Sequence, residues 1–111
     1  MSTGNDSDRR THRRIRGPFD AVRLGLLEFR LRIYDLSVGG CLIESLAEIT
    51  PGHPIRLRIT LPDGDPVTVR GHVTRPLPDI GFAVRFVDLD AATRERIERA
   101  LEDAELERAQ N

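Results

Sequence analysis

Two short clusters in this chain carry the residue types that could do chemistry. Arg9-Arg10-Thr11-His12-Arg13-Arg14 sets four guanidinium groups within six residues and contains Arg10-x-x-x-Arg14. About twenty residues later, Asp35-Leu36-Ser37-Val38-Gly39-Gly40 reads Asp-x-Ser-x-x-Gly. A guanidinium is planar, permanently charged and offers five donors. It can clamp a phosphate with two parallel bonds, grip the O6/N7 edge of guanine, or stack on a base. The second cluster complements the first. Asp35 can accept from the N1–H and N2–H edge of guanine, and Ser37 can donate to a phosphate. Gly40, with Gly39 beside it, offers backbone without a Cβ where a ligand comes close. Strand alternation would put Asp35 and Ser37 on one face. The two clusters together describe a site for something anionic, planar and rich in donors, and a guanine nucleotide has those properties. A cyclic guanine dinucleotide presents the phosphate, the base edge and the base face at once.

Each cluster alone has a plainer meaning. Basic runs near termini are most often solvated tails or non-specific nucleic-acid arms. Asp, Ser and Gly at the end of a strand most often make a turn. Arg13 adds a second register, Arg9-x-x-x-Arg13, so either Arg13 or Arg14 could face a ligand. His12 lies in the arm, and a histidine there is usually just exposed. His53, His72 and Cys41 show no metal-ligand spacing, so no metal site is expected. No catalytic constellation stands out. Ser37 has no nearby histidine, no carboxylate pair is evident, and no glycine-rich phosphate loop opens a helix.

The elements that must position these residues are mostly strands. Leu31 and Ile33 follow Phe29 at alternate positions, with Arg30, Arg32 and Tyr34 between. The same period of two runs through Ile55, Leu57, Ile59 and Leu61, through Val67, Val69, Gly71 and Val73, and through Ile80, Phe82, Val84 and Phe86. One face of each strand is therefore buried and the other wet. Pro62-Asp63-Gly64-Asp65 and Pro76-Leu77-Pro78-Asp79 punctuate the runs as turns. Six strands are predicted, over 18–26, 29–35, 40–45, 54–61, 66–75 and 80–87. Short antiparallel strands at regular spacing suggest a small closed barrel, which leaves no exposed edge. From Asp90 the period changes. A helix is predicted over 91–106, capped by Asp90, with Ile97, Ala100, Leu101 and Ala104 as its apolar stripe over the barrel.

Composition limits the remaining choices. The chain has 111 residues, enough for one domain with a modest core. It has no apolar run long enough for a membrane helix or a secretory signal. Residues 1–8 are polar and read as a disordered tail. Net charge is −1, unevenly spread: the head is basic, and residues 90–111 carry seven acids against four arginines. That split favours a local anion site over a generally basic surface. There is no lysine, so the arginines are not all read as functional. The single Cys41 allows no disulfide framework and suggests a reducing, cytoplasmic setting.

The arginine arm, one strand, and the acid-hydroxyl-glycine turn together resemble the signature of the PilZ family of cyclic di-GMP receptors. Arg9, Arg10, Arg14 and Ile15 sit in the register of the family's first motif. Asp35, Ser37 and Gly40 match the second. Gly81-Phe82-Ala83-Val84-Arg85-Phe86 is similar to the family's closing strand, with a helix after it as usual there. The resemblance covers nearly everything after residue 8. It implies a mainly β fold, a six-stranded antiparallel barrel of the split-barrel type with a C-terminal helix. Residues 9–17 would form a ligand-binding arm, within a domain spanning 9–108. It implies that Arg10 and Arg14 hold phosphates and guanine edges, that Asp35 and Ser37 contact a guanine, and that Gly40 shapes the turn. Arg9 is a further candidate, because an arginine before the first motif goes with a stacked pair of ligand molecules. The expected function is a cyclic di-GMP receptor, not an enzyme, probing no membrane and acting as a monomer. Its arm would fold over the barrel on binding and signal to a separate, unidentified protein partner. The family's outputs are motility, attachment, polysaccharide secretion or virulence. Two alternatives remain: a nucleic-acid-binding barrel using the basic arm, and a PilZ-like protein scaffold without nucleotide. Few aromatics and an acidic helix count against nucleic acid, whose single strands need stacking platforms.

Overall fold

The structure, a computed structural model, describes residues 13–110. Arg9, Arg10, His12 and the 1–8 tail lie outside the described residues. Six strands follow in order: β1 (Ile15–Leu24), β2 (Phe29–Leu36), β3 (Gly40–Glu44), β4 (Pro54–Thr60), β5 (Pro66–Leu77) and β6 (Gly81–Val87). A helix, α1 (Ala91–Gln110), ends the described chain. Every strand pair is antiparallel, and the sheet closes as a barrel in the order β1-β2-β3-β6-β5-β4. The β1–β4 seam, with Ala21 opposite Ile59, completes the ring. The expected fold class is thus the one observed.

The alternation that predicted the strands also fills the barrel. Ile55, Leu57, Ile59, Leu61, Val67, Val69, Val73, Phe82, Val84 and Phe86 are all buried in one core. Closure gives each strand two partners, so the sheet has no exposed edge. At the β4–β5 turn Gly64 takes φ +92°, which glycine adopts without strain. The amide of Asp65 there donates to the Asp63 side chain at 2.8 Å.

Three details depart from strict alternation. First, β1 starts at Ile15 rather than 18, because Ile15 is apolar and buries opposite Leu36. Its register then slips between Arg16 and Phe19. There Gly17 lies so close to the carbonyl of Ile33 that a Cβ would collide with it. Second, β2 slips against β3 between Ile33 and Asp35. This bulge turns Ile33 and Leu36, three residues apart, into the core, while Phe29 is exposed. Third, Ile80 belongs to the β5–β6 turn and is exposed rather than buried.

The helix is held as its sequence suggests. The Asp90 carboxylate accepts from the Thr93 amide at 2.7 Å, and this bond holds its pKa below the usual aspartate range. Ile97, Ala100 and Leu101 are buried in the barrel's core cluster. Arg96 donates to the Pro66 carbonyl at 2.8 Å and ties α1 to the start of β5. The helix therefore covers the end of the barrel that holds the β2–β3 and β4–β5 turns. The opposite end holds the β1–β2 and β5–β6 turns and the β3–β4 loop.

Candidate functional site

Asp35 is the next-to-last residue of β2, pairing with Arg16 on β1 and Leu42 on β3. Leu36 beside it points inward and is fully buried, so Asp35 faces outward. Its side chain is 20% exposed, and it meets one of the predicted arginines. Arg14, just before β1, donates from Nη1 to Asp35 Oδ2 at 3.1 Å. The other oxygen, Oδ1, is buried without a hydrogen-bond partner among the described residues. Buried acceptors nearly always have a donor, so an open one is uncommon in a folded protein.

Of the two registers available to the arm, the structure pairs Arg14 with Asp35. Arg13 turns the other way, and its Nη1 lies 3.3 Å from Glu105 Oε2 on α1. Both arginines are substantially exposed, so each pair stabilises the fold by about 1 kcal/mol or less. Arg13 and Arg14 are thus held by weak contacts.

Ser37 departs from the expected geometry. The strand ends at Leu36, so strand alternation no longer governs where Ser37 points. Its side chain is buried and folds onto its own turn. Ser37 Oγ accepts from the Gly39 amide at 3.2 Å and lies 3.4 Å from the Gly40 carbonyl. The Ser37 amide also donates to that carbonyl, at 2.9 Å. In this arrangement the hydroxyl fixes the turn instead of standing beside Asp35.

Gly40 also has a packing reason that the sequence did not reveal. A Cβ at this position would strike the carbonyl of Val84 on β6. The neighbouring Gly39 carbonyl accepts from the Phe86 amide at 2.9 Å. The glycines thus let the β2–β3 turn lie tight against β6. A Cβ on Gly39 would meet only Ser37 Oγ, at 3.8 Å, so that position is open.

Two arginines that the motif reading passed over border the site. Arg16 stands across from Asp35, and Arg85 across from Gly40, both exposed. Their outward positions follow from alternation around buried neighbours, Ile15 for one and Val84 and Phe86 for the other. The nearby Cys41 is buried, and burial, with the Asp35 charge adding to it, pushes its thiol pKa well up. It is therefore a core residue and not a nucleophile at neutral pH. Among the described residues no cluster of His, Cys, Asp and Glu could hold a metal ion, and no helix is long and apolar enough to cross a membrane.

Comparisons with known proteins agree with this architecture. A search of curated protein sequences finds no match. Among solved structures, Bacillus subtilis MotI/DgrA, an inhibitor of motility, superposes with a TM-score of 0.77 at 19% identity, over 89% of this chain and 52% of that one. Escherichia coli YcgR in complex with c-di-GMP gives 0.76 at 21% identity, over 92% and 48%. The isolated PilZ domain of YcgR with c-di-GMP gives 0.66 at 18% identity, over 92% and 95%. The chain spans about half the length of MotI and of the longer YcgR chain, and nearly all of the isolated domain. At these identities the superpositions establish the shared fold. The family model for the PilZ domain matches residues 8–103, from the arginine arm through most of the helix, and the chain belongs to the PilZ domain family.

Proposed function

We propose that this protein is a cyclic di-GMP receptor that binds its ligand on the outer wall of the barrel beside the β2–β3 turn. The observation that carries the reading is the Asp35 carboxylate, with Oδ2 on Arg14 and Oδ1 buried and unpartnered among the described residues. A guanine offers N1–H and N2–H side by side, which suits a carboxylate with an open oxygen. Arg14, released from Asp35, then turns to a phosphate or to the O6/N7 edge. Arg10 and Arg9 are proposed to reach the same ligand from the arm, with Arg9 recruiting a second, stacked molecule. Ser37, Gly39 and Gly40 serve mainly by holding the turn that presents Asp35, and Gly39 leaves an open approach. Arg13 is proposed as a contact of α1 while the site is empty. The family relation and the ligand in the two YcgR structures support this reading.

The protein would work as a switch in the cytoplasm. Binding pins the arm over the barrel, and a separate protein partner reads the change, with motility, attachment, polysaccharide secretion or virulence as the class of output. The deciding experiment is a calorimetric titration with cyclic di-GMP, run on the wild type and on Arg10→Ala. Saturable heat that the substitution removes supports the receptor, and the stoichiometry reports whether Arg9 brings a second ligand. Absence of heat from a folded wild type would sink the proposal. Salt separates the nucleic-acid alternative, whose binding falls steeply with ionic strength.

A further inference from the structure

Among the described residues, seven large hydrophobic side chains are exposed, and five of them sit at one end of the barrel. Leu26, Leu27 and Phe29 occupy the β1–β2 turn and its exit, Leu46 the β3–β4 loop, and Ile80 the β5–β6 turn. Antiparallel order places all three connections at the same end, opposite α1 and the Arg14–Asp35 site. An eight-residue strand such as β2 separates the two ends by roughly 20–25 Å. Single exposed hydrophobics are ordinary, but a set gathered on one rim marks a binding surface.

The rim contains a groove of about 650 Å³ between the β3–β4 loop and the β5–β6 turn. Leu46, Ile49, Leu77 and Ile80 supply its apolar wall, and Glu48 and Asp79 its charge. Leu46 is 99% exposed and Ile80 41%. The Ser45 amide donates to the Ile80 carbonyl at 2.9 Å and joins the two walls at their base. Among the described residues no arginine lines the groove, in a chain whose strands carry many. Arg23, at the end of β1, is engaged with His53 at 3.2 Å.

We propose that this groove docks a segment of a partner protein that carries aliphatic or aromatic anchors flanked by arginine or lysine. The apolar wall takes the anchors, and the two carboxylates select the flanking charge and disfavour acidic competitors. The inference gives chemistry to the partner in the function proposed above, and it is independent of the nucleotide site. A protein that fails to bind cyclic di-GMP would leave it standing.

The test is selection of a random peptide library displayed on phage against the full chain, followed by affinity measurements on the enriched synthetic peptides. The enriched sequences should combine apolar anchors with net positive charge. Leu46→Asp and Glu48→Arg should each weaken them by about tenfold, the scale of losing one anchoring contact. Leu106→Asp, an exposed apolar position on α1, should leave affinity unchanged. Cyclic di-GMP titration of Leu46→Asp should match the wild type, which separates this site from the nucleotide site. Leu46 is 99% exposed and lies outside the core, so Leu46→Asp folds. Enriched peptides that are acidic, or indifferent to Leu46→Asp, would overturn the proposal. So would sedimentation showing a dimer that Leu46→Asp splits, since the rim would then be a self-interface. Binding to phosphatidylcholine–phosphatidylglycerol vesicles that Leu46→Asp abolishes would overturn it in favour of a membrane.

Discussion

At the residue scale, one carboxylate organises the candidate site. Asp35 is held outward by Leu36, half-paired by Arg14, and left with one oxygen open among the described residues. Asp35→Ala is expected to weaken cyclic di-GMP binding by about 1.5–3 kcal/mol, the worth of a charged hydrogen bond. It should also relax the preference for guanine over adenine dinucleotides; competition calorimetry with both ligands measures this, and unchanged selectivity would remove Asp35 from base recognition. Arg14→Ala should weaken binding by a similar amount yet shift the thermal midpoint of the empty protein little, because the arginine is mostly exposed. The two glycines should separate. Gly40→Ala forces β3 away from Val84 and should destabilise by about 1–3 kcal/mol, as overpacking does. Gly39→Ala should be nearly neutral for stability, and denaturant melts of the pair would show whether the motif's last glycine serves the fold.

At the scale of elements, β1 and α1 link the arm to the barrel. Because β1 begins at Ile15, paired with Leu36, removal of residues 1–14 should spare the barrel's circular dichroism and melting transition while abolishing nucleotide binding. A truncated protein that unfolds would show the arm to be structural. The helix depends on its stripe and its cap. Ile97 is fully buried, so Ile97→Ala should destabilise by about 2–5 kcal/mol in a denaturant melt. Asp90→Ala should lower the melting temperature by leaving the Thr93 amide without its acceptor. The folded-state pKa of Asp90 is lowered, so the cap contributes fully above the ordinary aspartate range. That contribution is lost as pH falls through the lowered value. Asp90→Asn keeps an acceptor without a charge and should flatten that acid-side dependence.

At the scale of the whole molecule, the barrel separates two surfaces. One end carries charge and hydrogen-bonding groups around Asp35 and is covered by the helix. The other end carries exposed leucines and an acid-edged groove. A closed barrel is rigid because every strand has two partners, so the two surfaces can evolve and act independently on one frame. Changes at the rim should therefore leave nucleotide binding intact, and changes at Asp35 should leave the rim's apolar groove intact.

The sequence by itself determined the architecture. Period-two alternation from Ile55 to Phe86 and the turn residues at 62–65 predicted the strands, because one-sided burial imposes that pattern wherever a sheet has a core face. The Asp90 cap and the stripe at Ile97, Ala100 and Leu101 predicted the helix for the same kind of local reason. The two motifs, which resemble those of the family to which the chain belongs, were also legible as short strings. Only the tertiary structure decided how their residues are used. Register slips at Gly17 and beyond Ile33 altered which side chains face inward, and such slips depend on a neighbouring strand that local sequence does not specify. The burial of Ser37, the collision that forbids a Cβ at Gly40, and the pairing of Arg14 rather than Arg13 with Asp35 all arise between elements distant in the chain. The apolar rim is of the same kind: Leu26, Leu46 and Ile80 are scattered in sequence, and the closure of six antiparallel strands brings their loops to one end.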